Sequence, residues 1–108
     1  MSDIEQQRAD TLRRKMREEA RLIMLRALAD EINETLTSSR LVDVLDMFGI
    51  YKERSWVHDE LAWMAEAGAV TLTDAGTVKI ARLTEKGSRH LDRRIAIEGI
   101  RRPSRPEV

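Results

Sequence analysis

The run from Ser55 to Gly87 sets an order of elements by its stop and start signals alone. Ser55 is a residue type that caps helices, and Val57, Leu61 and Met64 follow it on one helical face. Ala67-Gly68 ends that helix, because glycine readily takes the left-handed conformation that closes a last turn. Val70-Thr71-Leu72-Thr73 and Val78-Lys79-Ile80-Ala81-Arg82-Leu83 largely alternate apolar and polar residues, as half-buried antiparallel strands do. Asp74-Ala75-Gly76-Thr77 between them is a short hairpin connection. Leu83-Thr84-Glu85-Lys86-Gly87 then opens another helix, with Thr84 as its cap. A chain punctuated this way runs helix, strand, tight turn, strand, helix.

The flanking sequence supplies more helix. Ile4 to Asn33 lacks Gly and Pro and is rich in Arg, Glu, Ala, Leu and Met, all good helix formers. Its apolar residues begin as a thin stripe (Ala9, Leu12, Met16, Ala20, Ile23, Ala27) and thicken at Leu22, Leu25, Leu28 and Ile32. Two environments follow: residues 1–21 project, with Leu12 and Met16 available to a partner chain, and the second half enters a core. Leu36-Thr37-Ser38-Ser39 breaks the pattern and offers Ser38 or Ser39 as an N-cap. The next helix reaches about Phe48, with Leu41, Val44, Leu45 and Phe48 on one face, and Gly49 ends it. Ile50 to Arg54 is a turn. The last helix runs to Ile95 or Ile97, and residues 98–108, with two prolines and three arginines, read as a flexible basic tail. The expected layout is one domain over 22–97, mainly α with a small β-hairpin.

Composition removes several functions. With no cysteine there is no disulfide framework, thiolate metal site or cysteine nucleophile. His58 and His90 lack the companions of a metal site and are read as surface residues, so no metal and no cofactor are expected. No glycine-rich phosphate loop and no defensible Ser-His-Asp unit is present, and an enzyme is not expected. The longest apolar runs fall far short of a membrane span, and the N-terminus has no apolar signal segment, so a cytoplasmic protein is expected. Net charge is zero, yet residues 32–83 carry 5 basic and 8 acidic side chains while residues 84–108 carry 7 and 4. The cations gather at the two ends of the chain.

Ser-x-Val-x-x-x-Leu-x-x-Met-x-x-x-Gly-x-Val at Ser55 to Val70, followed by Ala-Arg-Leu-Thr-Glu-Lys-Gly at Ala81 to Gly87, resembles the winged helix-turn-helix of MarR-like and ArsR-like bacterial regulators. The likeness covers about Leu22 to Ile95, and the layout with long terminal helices is also similar to small winged-helix proteins of Mu-like prophages. The resemblance implies a winged-helix domain whose N- and C-terminal helices form a homodimer interface, and a DNA-binding, transcription-regulatory role. Under it Ser55 caps the reading helix, Lys52, Arg54 and His58 are its contacts to duplex DNA, and Lys79 or Arg82 supports the wing. Arg101 and Arg102 would add phosphate contacts from the tail.

The reading helix itself points two ways. Its outward positions include His58, Asp59, Ala62, Trp63 and Glu66, where a DNA reader would carry donors and cations. Trp56 and Trp63, seven residues apart, share one edge of the helix with Glu60 between them. They either cover the rim of the core or, with Tyr51, anchor a protein partner. An interaction or assembly module that does not read DNA is therefore the alternative expectation.

Overall fold

The structure, a computed structural model, describes residues 2–105. In chain order its elements are α1 (Ser2–Ala29), β1 (Thr35–Thr37), α2 (Ser38–Met47), α3 (Arg54–Glu66), β2 (Val70–Ala75), β3 (Val78–Leu83) and α4 (Glu85–Leu91). Among the described residues the fold is thus mixed but mostly helical, with one three-stranded antiparallel sheet in the order β1-β3-β2. A winged helix is compatible with this arrangement.

The thin and thick halves of α1 do occupy different surroundings. Asp3–Lys15 lies largely in water, whereas every residue from Ala20 to Leu25 is buried. Six successive buried residues cannot lie on one helical face, so the helix is enclosed on most sides there. Leu41 and Leu45 of α2, Val57, Leu61 and Met64 of α3, and Val70, Ala81 and Leu83 of the sheet form part of that wall. The helix stops at Ala29, before the expected Asn33, and leaves Ile32 fully exposed. Asn33 folds the chain back: its Oδ1 accepts from Thr35 N–H and its carbonyl from Thr35 Oγ1. Thr35-Leu36-Thr37 can then pair with Arg82, Ala81 and Ile80 of β3.

The caps also fall elsewhere than the sequence indicated. Thr37 caps α2 by accepting from Arg40 N–H, and Ser38 is released into the interior. Glu53 is the cap position of α3, so Ser55 sits exposed inside the first turn and caps nothing. Phe48, expected on the core face of α2, stands exposed past the end of the helix. Thr84 caps α4 as expected, accepting from Gly87 N–H.

The largest departure is at the C-terminus. α4 ends at Leu91, well short of Ile95, and the chain reverses through Arg93 at φ +63°. Ile97 and Ile100 are buried, Arg101 N–H donates to Glu18 O, and Pro103 is buried. Residues 98–103, expected as free tail, therefore pack on α1; residues 106–108 lie outside the described residues. His90, expected at the surface, is wholly buried beneath this segment. Its Nδ1 accepts from Ile97 N–H and its Nε2 donates to Arg101 O, so the ring ties α4 to the returning strand of chain. α4 thus turns Gly87 and His90 into the domain and leaves Glu85, Lys86 and Arg89 exposed.

One buried group joins the three layers. Arg21 of α1 donates from Nε to Glu60 Oε1 of α3 at 2.7 Å and from Nη1 to Gly99 O at 2.7 Å. Its guanidinium also lies 3.8 Å from the ring centroid of Trp63. A side chain at position 99 would run into the Trp63 ring, and Gly99 has φ +95°. Gly99→Ala should therefore lower stability by about 2–3 kcal/mol through crowding and backbone strain. Gly76→Ala at φ +66° meets nothing nearby and should lose about 1 kcal/mol. Urea midpoints of the two variants measure the difference. Glu60→Ala strands a buried guanidinium and should lose about 3–5 kcal/mol in the same assay.

Candidate functional site

Three elements meet where α3 begins. Ser38, the first residue of α2, is wholly buried, and its Oγ accepts from Lys79 N–H of β3 at 3.0 Å. The same hydroxyl lies 2.8 Å from His58 Nε2 of α3. Having accepted from Lys79, Ser38 still has its own hydrogen to give, and a neutral His58 Nε2 can take it. Burial pushes the His58 pKa below its ordinary 6.5, and the positive charges of Lys79 and Arg54 push the same way against Asp59 and Asp74. A serine Oγ sealed inside the fold cannot attack a substrate, so the pair fastens α2, α3 and the hairpin together. Among the described residues no cluster of His, Asp and Glu is arranged to hold a metal ion.

The candidate DNA contacts divide into two groups. Arg54, His58 and Lys79 lie together at the start of α3, with Asp59 and Asp74 among them. Lys79 Nζ is paired with Asp74 Oδ1 at 2.7 Å across the β2–β3 hairpin, which holds the Asp74 carboxyl below its ordinary range. Lys52 lies 5.3 Å over the Trp56 ring, and Arg82 is exposed on β3 between Thr35 and Thr71. The hairpin turns through Gly76 and Thr77 alone, a shorter loop than expected, with Ala75 facing Val78. Arg101 and Arg102 belong elsewhere: with Arg26, Glu19 and Phe48 they line a shallow depression beside α1. Arg102 and Arg105 also crowd Arg93.

The exposed residues of α3 are Arg54, Ser55, Asp59, Ala62 and Glu66. The one cation among them, Arg54, stands at the helix start; beyond it the exposed positions hold two carboxylates and no cation. Trp63 is half-buried against Arg21 and Gly99, so it covers the rim of the core; Trp56 is half-buried beneath Lys52. The exposed large apolar side chains sit instead at the end of α2 and just past it, at Met47 (83% exposed), Phe48 (63%) and Tyr51 (76%), on the projecting half of α1, at Ile4 and Leu12 (62%), and after α1, at Ile32. Met16 is partly covered. Between α1 and α2 runs a groove of about 470 Å³ with Ile23, Ala27, Leu36, Val44, Met47 and Phe48 on its walls. The spacing that put Phe48 on one face with Leu41, Val44 and Leu45 gave no signal for this surface.

Because His58 is held below pKa 6.5, the unfolded chain takes up this proton first as pH falls. Stability should be unaffected by this group above pH 6.5 and decline as pH drops through the window below it. Unfolding free energies of the wild type and His58→Gln, compared between pH 7.5 and 5, measure the contribution: the variant should show the flatter profile.

A relative supplies the source. The chain is 34% identical over 86 residues to uncharacterized protein gp26 of Escherichia phage Mu, covering 80% of this chain and 88% of the relative. No family model and no solved structure matches the chain. No helix among the described residues is long and apolar enough to cross a membrane. At that identity and coverage, the chain belongs to the family of phage Mu gp26, which supports a phage origin.

Proposed function

We propose that this chain is a winged-helix protein that works by holding other protein surfaces, as an assembly module, without catalysis and without reading bases through α3. The fold reading is supported by the order α1-β1-α2-α3-β2-β3-α4, by the central place of β3, and by the two-residue hairpin beside α3.

One observation carries the functional reading: past Arg54 at its start, the exposed positions of α3 are Ser55, Asp59, Ala62 and Glu66, with two carboxylates and no cation. A duplex presents roughly one negative charge per 1.7 Å of its axis. Two carboxylates facing it raise the energy of approach, and the neighbouring Lys79 is already spent on Asp74. Apolar contact surface, meanwhile, is exposed at Met47, Phe48 and Tyr51, residue types favoured at protein interfaces. In this reading Tyr51 is a contact, while Trp63 is withdrawn into the domain.

Duplex binding in a transcription-regulatory role is the second reading. It is favoured by Arg54, His58 and Lys79 lying together where α3 meets the hairpin. A salt titration against a labelled nonspecific duplex separates the two. The assembly reading expects no binding at about 50 mM salt. Binding that weakens with a log-log slope of roughly −0.9 per phosphate neutralised, and that Arg54→Ala reduces, overturns it.

A further inference from the structure

We propose that the groove between α1 and α2 is filled by the projecting α1 arm of a second copy of this chain, the two arms being exchanged about a two-fold axis. The proposal rests on the assembly reading and names its first partner.

The apolar stripe of α1 does not stop where the domain begins. Ala9, Leu12 and Met16 on the arm continue at spacings of three and four into Ile23 and Ala27, which line the groove. One helix therefore carries both halves of a contact on the same face. Laid antiparallel about an axis level with Glu19 and Ala20, two such helices set Met16 beside Ile23 and Leu12 beside Ala27. Val44, Met47 and Phe48 of the partner's α2 close over the arm from the side. Because the symmetry is two-fold, every contact is made twice.

Charge chooses the same occupant. Residues 8–17 carry Arg8, Arg13, Arg14, Lys15 and Arg17 against Asp10 alone, net +4. Residues 26–47, which contribute the groove, carry Asp30, Glu31, Glu34, Asp43 and Asp46 against Arg26 and Arg40, net −3. On the groove itself stand Asp30, Glu31 and Asp43 together with Arg26 and Arg40, net −1. Among the described contacts the arm's cations have little of their own to meet: Arg13 reaches Asp10, and Arg14 lies 4.0 Å from Glu18. The basic stretch 8–17 of the arm and an apolar groove that carries a net negative charge are complementary, and the arm cannot fold back into the groove because both belong to one continuous helix.

Two charge-reversed chains test this without touching the core. Arg8→Glu with Arg13→Glu reverses the arm; Asp30→Lys with Asp43→Lys reverses the groove. All four positions are exposed. By sedimentation velocity at up to about 100 µM, where a dissociation constant of that order half-populates the dimer, the wild type should be dimeric. Each reversed chain alone should bind itself at least about ten-fold more weakly. Their equimolar mixture should form one-to-one heterodimers at near wild-type strength, since both arm-groove contacts then regain opposite charges. Leu12→Asp should likewise yield a monomer with an unchanged far-UV spectrum.

A monomeric wild type, reversed chains that dimerise normally, or a mixture that fails to pair would each overturn the exchange. A monomer that also ignores duplex DNA removes this inference and leaves the assembly reading standing. Steep salt-dependent duplex binding by a dimer removes that reading and leaves the exchange.

Discussion

The buried Arg21 guanidinium is the constraint on which the rest of the structure depends. It sits on the helix that runs through the core, pairs with Glu60 of α3, caps the carbonyl of Gly99 and stacks on Trp63. A buried ion pair gains little stability over an apolar replacement, but it tolerates very few arrangements of its neighbours. Here it fixes how α3 is rotated against α1 and where the C-terminal segment returns. By taking Glu60 and Trp63 inward, it also decides which side chains of α3 remain outside. The acidic exposed line of α3 is thus a consequence of the interior.

The same packing accounts for how surface is divided between the two ends of the chain. Once residues 97–103 are docked by His90, Glu18 and Arg21, the C-terminal half has no loose helix to offer a partner. The arm of α1 has no such tether. Its first five turns rely on good helix formers and local charge pairs, which leaves a preformed, unpartnered helix standing off the domain. The arm and the Met47–Tyr51 corner are where this protein has surface to spend.

The sequence was informative wherever local chemistry decides. The Gly68 stop, the Thr84 cap, the hairpin strands and the core positions Val57, Leu61 and Met64 all follow from short-range rules, and all are found. It was silent where the deciding partner lies far along the chain. Thr35–Thr37 becomes a strand only because β3, more than 40 residues later, offers a free edge. Residues 98–103 look like solvated tail until Arg21, 78 positions before Gly99, is brought against them. Ser38 has the composition of a cap and becomes an interior fastener because Thr37 takes the cap instead. At the candidate site, helical spacing already put Asp59, Ala62 and Glu66 on the outside, but only the packing of α3 on α1 could show that Glu60 and Trp63 are taken inward by Arg21.

Hydrogen exchange followed as a function of protein concentration tests the central claim most directly, that the arm of α1 is a contact surface for another copy. Free in solution, the amides of residues 3–15 exchange through fraying of an unsupported helix, while those of residues 20–28 open only with the domain. Raising the concentration should slow exchange throughout the arm and at the groove residues Ala27, Val44 and Met47, with residues 55–66 of α3 unaffected. Arm amides that exchange at one rate at every concentration would contradict the account.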